Sequence, residues 1–205
     1  MPKPPRPRPY HHGDLRRAVL DEALALIEER GHVGFTLREV ARRIGVSHAA
    51  PYRHFPDKRA LMTALAVEAL GAMADRLEAA LAEAGADLRT RFLAAGAAYV
   101  RFALDCPAAF RTIYANEGDL GDAAYQAAKA RSFGLLLDFI AEAQRAGVFP
   151  PGDGLALARP IWAMHHGLAT LASSGSFDGE GPEALRRIVD EAHARLLDGM
   201  IAASP

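Results

Sequence analysis

The chain has 205 residues, half of them apolar, with 24 Lys+Arg against 25 Asp+Glu, 13 Pro, 18 Gly and one Cys. This balance excludes disordered, collagenous and disulfide-framework classes, and the length accommodates one domain or two small ones around a sizeable core. The lone Cys106 forms no internal disulfide, and the longest apolar run, Phe92 to Val100, is half the roughly 20 residues a bilayer span needs, so a cytoplasmic protein without a membrane helix is expected.

In chain order, apolar spacing is helical almost throughout and no run alternates with period two, so the expected fold class is all-α. Leu15, Val19, Ala23, Leu26 and Ile27 share one face of a first helix, with Gly31 at its stop. Thr36 followed by Glu39 predicts a capping box, and Phe35 with Val40 a hydrophobic staple, at the start of a second helix that buries Leu37, Val40, Ala41 and Ile44. Gly45 breaks it. Ser47 is a cap candidate for a short third helix over about 48–55, and Asp57 for a long fourth one carrying Leu61, Leu65, Ala69, Met73, Leu77 and Leu81.

Turn signals at Gly85, Cys106-Pro107, Gly118 to Gly121, Gly147 to Gly154 and Ser173 to Pro182 delimit five further helices. The last two carry stripes of Ala158, Ile161, Trp162, His165, Leu168, Ala169 and Ala172, and of Leu185, Ile188, Val189, Ala192, Leu196 and Met200. Such a pair either closes a core or forms a two-fold four-helix interface with a second copy.

Charge is distributed unevenly. Residues 1–59 hold 12 Lys+Arg and 7 Asp+Glu, net +5, with five of the eight histidines; residues 60–205 hold 12 and 18, net −6. A basic segment joined to a mildly acidic body suggests that the first part meets a polyanion. Thr36 to Ile44 and His48 to Phe55, joined through Gly45, match a helix-turn-helix, whose second helix enters the major groove. SHAAPYRHFPDK adds His48, Tyr52, Arg53, His54 and Lys58 there, beside the small Ala49 and Ala50.

Residues 35–61, FTLREVARRIGVSHAAPYRHFPDKRAL, resemble the TetR family of bacterial transcriptional regulators through T-x-x-x-V-A-x-x-x-G-V-S, Y-x-H-F and Lys58. IWAMHHGLATL at 161–171 is similar to the W-x-x-x-H-G signature of one subgroup, and YHHGDLR at 10–16 to that subgroup's entry into helix one. The resemblance implies a homodimer in which a three-helix DNA-binding head, residues 1–59, precedes a helical effector-binding and dimerisation body of about six helices, residues 60–205. It implies that Thr36, Tyr52, His54 and Lys58 hold phosphates, that His48, Ala49, Ala50 and Arg53 face bases, and that Arg38 and Ser47 belong to the same DNA-facing set. Pro51 departs from the Leu common in the family, and it removes the first intrahelical hydrogen bond of the third helix. The Arg6, Arg8 and His11 arm either follows DNA into the minor groove or serves as a solubilising end.

Tyr99, Phe102, Phe110, Tyr125, Trp162 and His166 are candidate contacts for an unidentified small-molecule effector, each also explicable as packing. His165 and His166 point about 100° apart on a helix and no HExxH or Cys/His spacing accompanies them, so no metal is expected. GxxxxGK and GxGxxG are absent, and no cofactor is expected. The expected function is a ligand-responsive repressor on a palindromic double-stranded operator, dimeric through the last two helices and not an enzyme. The alternatives are an all-α enzyme using His165 or His166, and a constitutive DNA-binding protein without effector.

Overall fold

Apolar residues at helical spacing, bounded by capping side chains or glycines, build the architecture of the computed structural model, which describes residues 15–115, 119–177, 179 and 181–202. Among the described residues the fold is all-α: α1 (Leu15–Arg30), α2 (Leu37–Ile44), a 3-10 turn (Pro51–Arg53), α3 (Lys58–Glu83), α4 (Leu88–Asp105), α5 (Pro107–Tyr114), α6 (Ala123–Arg145), α7 (Gly154–Ser173) and α8 (Gly181–Ala202). The Arg6, Arg8 and His11 arm lies outside the described residues. No described helix is long and apolar enough to cross a membrane.

The described residues divide into two units. The first runs up to Ala69 and includes Ala108–Gln126; the second comprises Leu70–Pro107 and the residues from Ala127 onward. In the first, α1 buries Val19, Leu20, Ala23, Leu26 and Ile27 against Phe35, Leu37, Val40, Phe55, Leu61, Met62 and Leu65, each large side chain contributing roughly 1.5–3 kcal/mol on burial. Arg43 of α2 forks onto Glu29 of α1 with both contacts at 2.6 Å and also meets Glu22, while Arg30 reaches Glu39. These ties fix how α1 and α2 cross, although exposed pairs of this kind contribute little to stability one by one.

In the second unit α4 packs against α7 and α8. Phe92, Phe139, Ile140, Ala143, Phe149, Ala158, Ile161 and Leu197 form its core. Two stripes differ from expectation. On α7, Ala158, Ile161, His165, Ala169 and Ala172 are buried, but Trp162 is 38 % exposed. On α8 the deepest line is Val189, His193 and Leu197, while Leu185, Ile188, Ala192, Leu196 and Met200 are half-buried. The apolar stripe of α8 is therefore wider than the part that α4 covers.

Candidate nucleic-acid interface

The site begins with two helix ends. Thr36 has extended backbone and its hydroxyl accepts the amide of Glu39 at 3.2 Å, capping α2. The reciprocal half of the expected capping box is not made, because the Glu39 carboxylate is held by Arg30 instead. The guanidinium also holds that carboxyl below the usual carboxylate range. At the other end Gly45 adopts φ 76° and ψ 29°, a left-handed conformation that suits glycine. Its amide bonds to Arg42 O at 3.3 Å, and the Val46 amide to Ala41 O at 3.0 Å. This pair of bonds is a Schellman motif, and it turns the chain sharply after α2.

Beyond the turn the expected α-helix over 48–55 is not formed. The segment winds mainly through i→i+3 bonds, Ala50 N to Ser47 O at 2.9 Å, Arg53 N to Ala50 O at 3.2 Å and His54 N to Pro51 O at 3.0 Å, and ends on one i→i+4 bond from Phe55 N to Pro51 O at 3.0 Å. Pro51 explains the difference. It has no N–H to bond Ser47 O in an α-helical pattern, so the bond falls to Ala50 and the winding tightens toward 3-10 geometry.

The short element is nevertheless firmly seated, since Pro51 and Phe55 are buried with Leu37, Val40 and Ala41 behind them. Thr36, Arg38, Ser47, His48, Ala49, Tyr52, Arg53 and His54 are exposed, with Ala50 and Lys58 half-buried. Tyr52 is an aromatic ring left 45 % exposed. Lys58 opens α3, where Asp57 accepts the Ala60 amide at 2.8 Å as the cap. The Lys58 ammonium donates to Val33 O at 2.7 Å and lies 5.1 Å from the centre of the Phe35 ring. One narrow surface thus carries Arg, His, Tyr, Thr and small side chains over an apolar support. This chemistry suits phosphate contacts and the approach of small residues to base edges.

The candidate effector residues separate. Phe110 packs on Tyr114 at 5.3 Å in the first unit, and Tyr125 is buried there in the first turn of α6. In the second unit Phe102 is buried under the Arg76 guanidinium, 5.3 Å from the ring centre. Tyr99, Trp162 and His166 do come together: Trp162 stacks on His166 at 5.6 Å with 15° between planes, and Tyr99 Oη lies 3.4 Å from His166 Nδ1.

Beside them lie His165, given a chemical role from the sequence only in the alternative enzyme reading, and His193, which carried no expectation. His165 and the fully buried His193 stand edge to face, ring centres 4.6 Å apart, and His165 Nε2 and both His193 nitrogens have no hydrogen-bond partner. Burial pushes the His165 pKa down to about 3, with the His193 charge adding to the effect, and pushes His193 down to about 4 against the opposing pull of Asp190. Following the i, i+4, i+8 line Val189, His193, Leu197 was the available signal. Among the described residues no group of three His, Cys, Asp or Glu could hold a metal ion.

A helix-turn-helix surface on an all-α scaffold defines a DNA-binding regulator class, and comparison with known proteins agrees. Residues 19–65 match the family described as bacterial regulatory proteins, tetR family, and residues 92–196 match the tetracyclin repressor-like, C-terminal domain. The chain belongs to the TetR family of bacterial regulatory proteins.

It is 46% identical over 55 residues to the class D tetracycline repressor protein of Escherichia coli, a match covering 27% of this chain and 25% of that one. The chain thus spans about a quarter of the length of the curated relatives it matches. A solved structure of a protein of unknown function from Rhodococcus sp. RHA1 is 39% identical, with TM-score 0.79, covering 94% of this chain and 98% of that one. The TetR family regulator PfmR from Thermus thermophilus, 21% identical with TM-score 0.68 over 89% of this chain and 95% of that one, shares the fold.

Proposed function

We propose that this chain is a cytoplasmic, ligand-responsive repressor that binds a near-palindromic DNA operator as a homodimer, and that it belongs to the W-x-x-x-H-G subgroup of its family. The observation that carries the reading is the exposed band of Thr36, Arg38, His48, Ala49, Tyr52, Arg53 and His54 supported by buried Leu37, Val40, Ala41, Pro51 and Phe55. In this reading residues 1–59 are the DNA-binding part and 60–205 the effector and dimerisation part. Thr36, Tyr52, His54 and Lys58 hold phosphates, which set register; His48, Ala49, Ala50 and Arg53 face base edges, which set sequence. Arg38 and Ser47 flank them.

Leu155 and Trp162, seven residues apart on α7, are exposed, and α8 keeps a half-buried apolar stripe from Leu185 to Met200. Both features support a two-fold interface built from these two helices. Two heads so joined fit successive major-groove faces about 34–36 Å apart or a multiple of that distance. An effector that binds the body shifts the population toward a head spacing that no longer fits, and by linkage operator DNA weakens effector binding by the same factor. Tyr99, Trp162 and His166 support the effector-facing role; Phe102, Phe110 and Tyr125 then serve as packing.

Selection of binding sites from random-sequence DNA, combined with sedimentation of the protein and of Trp162→Asp, tests the reading. An inverted repeat bound by a dimer, with the variant shifted toward monomer, is expected. Enrichment of no sequence, or a monomer at every concentration, overturns it.

A further inference from the structure

The tight winding after α2 decides which side chain is carried furthest from the core. At three residues per turn, side chains three apart stand in line, and the bonds from Ala50 N to Ser47 O and from Arg53 N to Ala50 O tie one such line together. The other two lines are anchored inward. His48 and His54 share theirs with buried Pro51, and Ala49 and Tyr52 share theirs with buried Phe55. The line of Ser47, Ala50 and Arg53 has no buried member, so it faces outward along its length. An α-helix would turn each of these three residues about 60° from the last and scatter them over the surface. Ser47 and Ala50 are also small, so nothing on this line holds the backbone away from a groove that Arg53 enters.

The charges around the turn single out the same residue. On α2, Arg43 is held by Glu29 and Glu22, and Arg42 lies 3.9 Å from the Glu39 carboxylate that also holds Arg30. Lys58 donates to Val33 O, and Arg59 reaches Asp119 at 3.0 Å. Among the described residues, Arg38 and Arg53 have neither an ion pair nor a side-chain hydrogen bond. Arg38 stands in the first turn of α2 beside the Thr36 cap, whereas Arg53 closes the outward line of the turn. A guanidinium carries five N–H donors in a planar fork and no acceptor. In the major groove one base presents two acceptors side by side to such a fork: guanine, through O6 and N7. Adenine sets a donor beside its N7, cytosine presents a donor, and thymine a single acceptor next to a methyl group.

We propose that Arg53 is the guanine reader of this protein: each operator half-site carries a guanine whose O6 and N7 accept two N–H groups of the Arg53 guanidinium. This rests on the sequence-specific DNA-binding reading above and deepens it by naming the base edge that is read. The fork, and not the positive charge alone, carries the recognition, because an ammonium in its place is a point charge without the paired geometry.

The test uses the full chain and changes single atoms of the DNA. A duplex selected from random sequence is remade with 7-deazaguanine at each half-site guanine in turn, which replaces the N7 acceptor by a C–H group and leaves base pairing intact. Binding is measured by anisotropy at fixed salt for wild type, Arg53→Ala, Arg53→Lys and Arg38→Ala. One guanine should stand out: its deaza form should bind wild type and Arg38→Ala about tenfold more weakly, as the loss of one hydrogen bond to a charged group implies. Arg53→Ala should bind the deaza and unmodified duplexes equally. Arg53→Lys should lose the preference for guanine at that position while keeping the salt dependence of wild type. The proposal is overturned if no deaza substitution weakens wild type, if the deaza penalty persists in Arg53→Ala, or if Arg38→Ala abolishes it instead. Arg53→Lys that retains the full guanine preference overturns it as well, since Arg53 then acts as a charge on phosphate. Selection of an operator that fails these tests sinks this inference only, whereas enrichment of no sequence sinks the underlying reading.

Discussion

A methyl group on Gly96 would stand 2.6 Å from Cε1 and Nε2 of His193, closer than packed atoms approach. Position 96 is thus the contact where α4 meets the imidazole of α8, and a side chain there must displace a ring that is fully buried. Gly96→Ala should lower the stability of the second unit by about 1–3 kcal/mol, the usual cost of overpacking. The control is Gly134→Ala in α6, where nothing lies within 4 Å of the added carbon. Helix propensity alone should make that change stabilising by about 0.5–1 kcal/mol. Urea midpoints of the two variants should therefore move in opposite directions.

Acid should destabilise the second unit through the same pair. His165 and His193 are held down to about 3 and about 4 in the fold, while the unfolded chain titrates near the ordinary 6.5. The unfolded state therefore binds protons that the folded state refuses, and stability falls as pH drops from about 6.5 through 4. Each histidine contributes a slope of up to about 1.4 kcal/mol per pH unit in that window. Above pH 7 the two groups contribute no pH dependence. Denaturant melts of wild type and His165→Asn between pH 7 and 4.5 check this, the variant losing about half of the slope.

The α2 boundaries make a second stability test. Thr36→Ala removes the hydroxyl that accepts the Glu39 amide, at a cost of about 1 kcal/mol, and Thr36→Ser should restore most of it. Gly45→Ala forces a Cβ into φ 76° and should cost about 1–2 kcal/mol. Thermal melts of the three variants give the ranking directly.

Much of this was legible in the residues because local rules and tertiary packing agree. Thr36, Gly45 and Asp57 mark boundaries where the structure places them, and the α1 face of Val19, Ala23, Leu26 and Ile27 is the one buried. Where a local rule competed with something stronger, the reading moved. Pro51 tightened the third helix into a 3-10 turn, and Arg30 took the Glu39 side chain from its capping box. The Arg43 to Glu29 fork joins residues 14 apart, and no periodicity predicts such a pair. Trp162 is apolar enough to belong to a core stripe yet stands exposed, since a wide stripe does not say which of its edges a neighbour covers. His193 was hidden because a histidine between Val189 and Leu197 reads as a polar interruption of a helix face until the helices on either side are known.

Whether the exposed band around Tyr52 and Arg53 reads DNA sequence decides the functional assignment. The most direct measurement is fluorescence anisotropy of a selected inverted-repeat duplex and its scrambled counterpart, across a salt series, for wild type, Arg53→Ala and Tyr52→Phe. A sequence-reading surface predicts a preference of roughly 10³-fold or more for the selected duplex. Arg53→Ala should cost about 1–3 kcal/mol on that duplex and relax preference at one position, while Tyr52→Phe weakens both duplexes alike. Binding that is equally weak on both duplexes, falls steeply with salt and is indifferent to Arg53 would contradict it, leaving the basic surface as a polyanion patch without sequence recognition.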